Sequence, residues 1–134
     1  VSVKLLSDGD IAGVIHAVNT ADTGVDIYLG SGGAPEGVLA AAALRCIGGH
    51  MQGKLILDSP DKRLRAREMG IEDPNRIYDV SELASGDVLF SATGITDGSL
   101  VDGVKLRRGT VETSTVVMRS WSQTTRWIRA RHAR

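Results

Sequence analysis

The sequence has few cysteines and no long apolar run, the features typical of disulfide-rich, zinc-binding and membrane-spanning proteins. It contains one cysteine, Cys46, in 134 residues, so an internal disulfide framework and a cysteine-based zinc cluster are excluded. No apolar run approaches the ~20 residues that a membrane-spanning helix needs. No basic segment followed by an apolar one indicates a signal peptide. These absences predict a cytoplasmic protein with no membrane partner.

Aromatic residues are also scarce, at 4% of the chain. Proteins that bind single-stranded nucleic acids stack the bases on aromatic side chains. In the basic C-terminal part of this chain, Trp121 and Trp127 are the only aromatic residues. Nucleic acid is therefore disfavoured as a partner.

The formal net charge of zero hides a gradient along the chain. Residues 1–37 carry one lysine and five acids, a net charge of −4. Residues 100–134 carry eight basic and two acidic residues, a net charge of +6. The acidic start indicates contacts with a metal or with sugar hydroxyls. The basic end indicates an oligomer contact or an acidic neighbouring domain.

The hydrophobic spacing predicts alternating strands and helices, followed by a run of strands. The predicted strands are 1–6, 25–29, 54–57, 76–79, 88–92, 104–107, 111–119 and 125–129. The predicted helices are 11–18, 36–47 and 60–69, with one helical turn at 81–84. We therefore expect residues 1–134 to form one α/β domain of three layers. Its mixed β-sheet is predicted to be parallel at first and antiparallel later, with helices on both faces.

The strongest local feature is a glycine loop between a predicted strand and a predicted helix, formed by Gly30–Ala34 and followed by Pro35 and Glu36. Small residues let backbone N–H groups approach an anion, and a helix start adds partial positive charge. The loop has no lysine that could reach a terminal phosphate, so it is not a P-loop. Glu36 has two interpretations, a first-turn acid that stabilises the helix dipole or a ligand to a cation such as Mg²⁺.

A second segment, Asp8-Gly9-Asp10, also follows a predicted strand and precedes a predicted helix. It is either a capped turn or a pair of carboxylates that binds sugar hydroxyls or a cation. Ligands of open α/β sheets bind at the carboxyl ends of strands, where both segments are predicted to lie. A third loop, Thr93–Gly98, is interpreted as a turn.

Other catalytic arrangements are absent from the sequence. His16, His50 and His132 do not have the spacing of a zinc motif. The chain contains no G-x-S-x-G nucleophile motif. Cys46 lies in an alanine-rich helical segment and is predicted to be a core residue. No catalytic nucleophile is therefore assigned to this chain.

Several motifs in this order resemble the C-terminal half of class II fructose-1,6-bisphosphatases. This bacterial family includes the dual fructose-1,6-/sedoheptulose-1,7-bisphosphatases. The resemblance covers nearly the whole chain. It rests on Leu5–Asp10, Gly30–Gly37, Met51–Gly53, Ala92–Gly98 and Thr115–Ser120.

The resemblance implies a metal-dependent sugar phosphatase with stacked α/β layers. Such an enzyme removes the 1-phosphate of fructose 1,6-bisphosphate with Mg²⁺ or Mn²⁺. Asp8, Gly9, Asp10 and Gly33 match the family's substrate-binding positions. Glu36 matches a metal ligand, which selects the second of its two interpretations.

The resemblance also implies that other parts of the family's site are absent here. The family's further metal carboxylates precede the segment that matches Asp8, and only seven residues precede it in this sequence. We therefore expect an N-terminal half-domain to supply them, and we expect a homo-oligomer. Two alternatives stay open, a sugar-phosphate-binding module without turnover and a structural domain that assembles through its basic strands.

Overall fold

The computed structural model describes residues 2–6 and 9–133 and, of Asp10, the backbone alone. The helices are α1 (Asp10–His16), α2 (Thr20–Thr23), α3 (Ala34–Ile47), α4 (Pro60–Glu68) and α5 (Val80–Leu83). The strands are β1 (Gln52–Lys54), β2 (Ile77–Asp79), β3 (Leu89–Thr93), β4 (Lys105–Arg107), β5 (Thr110–Arg119) and β6 (Thr124–Ala133). Among the described residues, no helix is both long and apolar enough to cross a membrane.

Helix α3 forms where the sequence combines a proline in the first turn with a run of alanine and leucine. Pro35 fits a helix start because its own N–H is not needed there. Alanine and leucine are the best helix formers. Gly48 ends the helix in the left-handed conformation, with φ 78°, and the N–H of Gly49 donates to the carbonyl of Leu44 at 3.0 Å. The predicted helix is thus confirmed, with its start at Ala34.

The larger sheet is a four-stranded antiparallel sheet built around β5. Strands β3 and β4 pair with one edge of β5, and β6 pairs with the other edge along all ten residues of both strands. The threonines and valines of β5 favour this conformation because β-branched side chains fit a pleated surface. The two long strands form a hairpin, so each has its partner close by in the sequence.

The core lies between α3, with α1 beside it, and one face of this sheet. We call that the inner face; it presents Phe90, Val116 and Met118, which are 7%, 0% and 2% exposed. The helices contribute Ala43 and Cys46 to the same cluster. Burial raises the pKa of the Cys46 thiol. The prediction that this cysteine is a core residue is therefore confirmed.

Two predicted strands do not form among the described residues. Residues 2–6 and 25–29 are outside any strand, and Val1 lies outside the described part of the chain. Several of their apolar side chains are largely exposed: Leu5 is 90% exposed, Ile27 69% and Leu29 83%. A strand is stable only with a hydrogen-bonded neighbour, and neither segment has one here.

The α/β class is confirmed, but the mixed, three-layer arrangement is not. Every strand pair among the described residues is antiparallel. The parallel part of the prediction depended on strands at 1–6 and 25–29. Helices α3 and α1 contribute to the core cluster on the inner face of the four-stranded sheet. A second helical layer is not observed among the described residues.

A small unit links α3 to the sheet. Strands β1 and β2 form a two-stranded antiparallel pair, and Asp79 and Glu82 form a capping box at the start of α5. Ser59 caps α4 by accepting a hydrogen bond from the N–H of Lys62. The predicted strand 54–57 is displaced to β1, whereas the predicted helix at 60–69 is confirmed as α4.

Candidate functional site

The glycine loop and the start of α3 form the first part of the candidate site. Gly33 is the N-cap of α3 and has an extended backbone, with φ −68° and ψ 146°. Helix α3 has 14 residues, so its N-terminus carries a partial positive charge from many aligned peptide units. Glu36 lies in its first turn. The local arrangement predicted from the sequence, loop followed by helix, is confirmed.

Gly33 and Glu36 are in direct contact. A Cβ atom placed on Gly33 would collide with Oε2 of Glu36, because the carboxylate folds back over the N-cap residue. The absence of a side chain at Gly33 therefore makes room for this carboxylate. The Glu36 side chain is exposed to solvent. An incoming ligand thus finds a carboxylate held beside the loop at the positive end of a helix.

The Asp8-Gly9-Asp10 segment is described only in part. Asp8 and the Asp10 side chain lie outside the described residues. Gly9 is the N-cap of α1 and adopts the left-handed conformation, with φ 78° and ψ 37°. Other residues reach this conformation only at a cost of roughly 1–2 kcal/mol. Asp10 is the first residue of α1, so the glycine sets the direction in which the helix leaves the turn.

Helix packing connects the two segments. Helix α1 packs against α3. A Cβ on Gly13 of α1 would lie 2.8 Å from the Tyr28 ring, and Tyr28 is two residues before the glycine loop. Beyond the C-terminal end of α3, a Cβ on Gly49 would lie 2.7 Å from Val18, which follows α1. Helix α1, which begins at Asp10, therefore packs against α3 and against Tyr28, the residue whose ring also lies against Gly30 of the glycine loop.

Tyr28 lies beside the candidate site, a position that reasoning from the sequence missed. The alternation of Val25–Leu29 assigns Tyr28 to a strand, but its ring lies against Gly13 and against Gly30 at the start of the loop. A glycine inside a helical pattern marks a close approach by another part of the chain. Gly13 was the available signal, since it is a glycine in the interior of α1.

The described residues do not assemble a complete metal site. Within them, no group of three or more His, Cys, Asp or Glu side chains could hold a metal ion. Mg²⁺ is commonly bound by one or two carboxylates together with substrate phosphate oxygens and water. The single carboxylate of Glu36 fits this pattern as one ligand of such a site.

The third loop, Thr93–Gly98, has the contacts of a closed turn. Oδ1 of Asp97 accepts hydrogen bonds from Nζ of Lys105 at 2.5 Å and from the N–H of Gly103 at 2.9 Å. The hydrogen bond from Lys105 is the main reason that the pKa of Asp97 is lowered. Asp97 is thus engaged in closing the loop, as the turn interpretation predicts.

Comparison with known proteins gives consistent matches. A model of the family described as bacterial fructose-1,6-bisphosphatase, glpX-encoded, matches residues 1–132. A protein of Synechococcus sp. (strain JA-3-3Ab) is named D-fructose 1,6-bisphosphatase class 2/sedoheptulose 1,7-bisphosphatase. It is 45% identical over 143 residues, a match that covers 97% of this chain and 41% of the relative. Proteins with this name from Crocosphaera subtropica and Trichodesmium erythraeum are 44% and 42% identical, with the same coverage. The chain therefore spans about two fifths of the length of these curated relatives.

Proposed function

This chain belongs to the bacterial fructose-1,6-bisphosphatase family, whose model matches residues 1–132. From that premise we propose that the chain forms one α/β domain of a metal-dependent sugar-bisphosphate 1-phosphatase. The reaction converts fructose 1,6-bisphosphate into fructose 6-phosphate and phosphate. This domain supplies the C-terminal part of the substrate and metal site, in a cytoplasmic enzyme.

The contact between Glu36 and Gly33 carries the proposal. It keeps an exposed carboxylate beside backbone N–H groups at the start of a 14-residue helix. Glu36 would supply one ligand to Mg²⁺ or Mn²⁺, which when bound would lower the pKa of a water molecule and neutralise phosphate charge. Gly33, without a side chain, lets the sugar phosphate approach the helix start.

Asp8, Gly9 and Asp10 position the sugar in this proposal. Carboxylates accept hydrogen bonds from sugar hydroxyls, and the left-handed Gly9 turns the chain between the two acids. Holding the substrate in one orientation lowers the entropic part of the barrier. These residues therefore orient the substrate and perform no chemical step.

Other parts of the family enzyme complete the site. The curated relatives match this chain over only 41% of their length. An N-terminal half-domain supplies the remaining metal carboxylates, and the complete enzyme is a homo-oligomer. The incomplete set of metal ligands among the described residues supports this division.

The proposal is tested in a chimera in which this chain replaces the matching segment of the Synechococcus relative. We expect phosphate release from fructose 1,6-bisphosphate with Mn²⁺ and none with EDTA. The substitution Glu36→Gln removes a metal ligand and should lower the rate about 100-fold. Gly33→Ala should also lower it, because the new Cβ displaces the Glu36 carboxylate.

Glu68→Gln is the matched control, because Glu68 is an exposed glutamate at the end of α4. It should leave the rate within about twofold, as surface substitutions usually do. Full activity of the Glu36→Gln chimera would remove Glu36 from the metal site. Metal-dependent turnover by the 134-residue chain alone would contradict the proposed division between two halves.

A second candidate function is a non-catalytic domain that binds sugar phosphates or mediates assembly, because a glycine loop at the start of a 14-residue helix can hold an anion without a metal. This domain would bind fructose 1,6-bisphosphate through the glycine loop without metal. Calorimetric titration of the chain with this ligand in EDTA separates the two candidates. Binding that persists in EDTA, together with an inactive chimera, would favour the binding domain.

A further inference from the structure

The face of the four-stranded sheet opposite α3 is the largest surface that the proposed function leaves unused. We call it the outer face. Strand register assigns to it alternate residues that are apolar, hydroxyl-bearing or basic. They are Leu89, Ser91, Thr93, Leu106, Val111, Thr113, Thr115, Val117, Arg119, Thr124, Arg126, Ile128, Ala130 and His132.

Three apolar residues of the outer face are exposed to solvent, whereas Val111, Val117 and Ala130 are half-buried. Leu89 and Leu106, at opposite ends of β5, are each 70% exposed, and Ile128 between them is 45% exposed. Soluble proteins seldom expose contiguous apolar patches of more than a few hundred Å², and larger patches mark interaction sites. The outer face is therefore a candidate surface for packing against another part of a protein.

The charges on the outer face have one sign. Its strand residues include Arg119, Arg126 and His132 and no aspartate or glutamate. The guanidinium of Arg119 lies over the Trp121 ring, and Arg126 donates to the Thr124 hydroxyl. The carboxylate of Glu112, by contrast, is on the inner side of β5. It pairs there with Arg107 and Arg131.

We propose that the outer face docks an acidic amphipathic helix contributed by the part of the family enzyme that lies outside the segment matched by this chain. The apolar side of that helix covers Leu89, Ile128 and Leu106. Its carboxylates pair with Arg119 and Arg126. This occupant has room in the family enzyme, because the match covers only 41% of the relative.

A second copy of this chain does not fit the same surface. A two-fold dimer brings the same patch of both copies together. Arg126 would then face a surface that is also basic, and like charges across an interface cost several kcal/mol. An acidic helix removes that repulsion and supplies the partners that the arginines need.

The length of the face sets the length of the helix. From Val111 to Arg119, strand β5 extends about 27 Å at a rise of ~3.4 Å per residue. A helix rises ~1.5 Å per residue, so about 18 residues cover that distance. Such a helix would form a second helical layer on this sheet.

This proposal goes beyond the phosphatase function and does not rest on it. Glu36 lies in the first turn of α3, which follows the glycine loop and packs on the inner face. Docking is therefore measured without turnover. A chimera that lacks activity but covers the outer face would contradict only the proposed function.

The experiment measures thiol accessibility in the 134-residue chain and in the chimera described above. Ile128→Cys places a thiol on the outer face, and labelling at this site is read by mass spectrometry of its peptide. We expect labelling about tenfold or more slower in the chimera than in the chain alone, because the docked helix must open first. A photo-crosslinker on the same cysteine should capture an acidic, amphipathic peptide from outside the matched segment.

Trp127→Cys is the matched control, since Trp127 is the neighbouring residue on the inner side of β6 and is 66% exposed. Its labelling should change less than about twofold between the two proteins. The substitution Arg126→Glu in the Ile128→Cys chimera should restore fast labelling, because it places an acid opposite the carboxylates of the helix.

Three results would overturn the proposal. Equal labelling of Ile128→Cys in chain and chimera would show that the face stays open. Crosslinking to a peptide without acidic residues would remove the charge argument. Light scattering that finds the chain alone to be a dimer, which Ile128→Glu dissociates, would identify a second copy as the occupant.

Discussion

Two regions of this chain carry the same alternation of apolar and polar residues and have different structures. In the four-stranded sheet, alternate residues such as Phe90 and Val116 are buried against α3. In the N-terminal segments, Leu5, Ile27 and Leu29 are exposed. Alternation therefore shows that a segment can be a strand, but the presence of a hydrogen-bonded neighbour decides whether it becomes one.

The difference lies in where the neighbour is found. Strands β5 and β6 form a hairpin, so each closes on its partner over a short loop at small entropic cost. Residues 2–6 and 25–29 have no hairpin partner beside them in the sequence. The candidate site lies next to these two segments, since the glycine loop follows residues 25–29 directly.

The largest expected effect contrasts two leucines. Leu44 in α3 is 1% exposed, and Leu5 is 90% exposed. The substitution Leu44→Ala leaves a cavity and should lower the free energy of unfolding by about 2–5 kcal/mol. Leu5→Ala should change it by less than about 0.5 kcal/mol. Urea denaturation of both variants measures this difference, and equal losses would mean that the N-terminal segment is packed as tightly as the core.

A smaller effect contrasts two glycines. A Cβ on Gly103, just before β4, would lie 2.5 Å from the carbonyl carbon of Thr96 and 2.6 Å from the backbone nitrogen of Asp97. Gly103→Ala should therefore destabilise the protein by about 1–3 kcal/mol. A Cβ on Gly37 in α3 meets no atom within 4 Å. Gly37→Ala should stabilise by about 0.5–1 kcal/mol, because alanine is the better helix former.

Thermal unfolding measures the two glycine variants side by side. Opposite shifts of the melting temperature are expected, downward for Gly103→Ala and upward for Gly37→Ala. A Gly103→Ala protein with the melting temperature of the parent would show that the loop beside the sheet is looser than described. The expected difference between the tightly packed Gly103 and the open Gly37 would then disappear.

The smallest effect concerns pH and the loop that Asp97 closes. The hydrogen bonds from Lys105 and Gly103 lower the pKa of Asp97 in the folded protein. A lowered carboxyl pKa contributes stability above the unfolded-state value, about 3.9, and loses it as pH falls through the folded pKa. Urea denaturation between pH 7 and pH 3 should show this loss, and Asp97→Asn should reduce it. An unchanged pH profile in the variant would assign the acid sensitivity to other carboxylates.

The helices other than α2, and the strands of the long hairpin, could be predicted because their signals are local. Pro35 and Gly48 mark the ends of α3, and Ser59 marks the start of α4. The strands predicted at 1–6 and 25–29 had correct residue types, but no local feature shows whether a non-local neighbour is available. Register also cannot be predicted from β-propensity alone, so the exposed outer face emerged only in the structure.

The candidate site shows the same division. Its residue types and order were readable from the sequence, and the resemblance assigned roles to Gly33 and Glu36. Their contact, with the carboxylate folded over the N-cap, was not readable. The place of Tyr28 between α1 and the glycine loop was also missed, because alternation described it as a strand residue.

By itself, the sequence determined the family, the helices and the hairpin of this protein. Capping residues, helix and strand propensities and short-range alternation act within a few residues, so they can be recognised in the sequence. Only the tertiary structure decided which alternating segments have partners, where the Glu36 carboxylate lies and which face of the sheet is open. These outcomes depend on contacts between residues far apart in the chain, whose free energies no local pattern records.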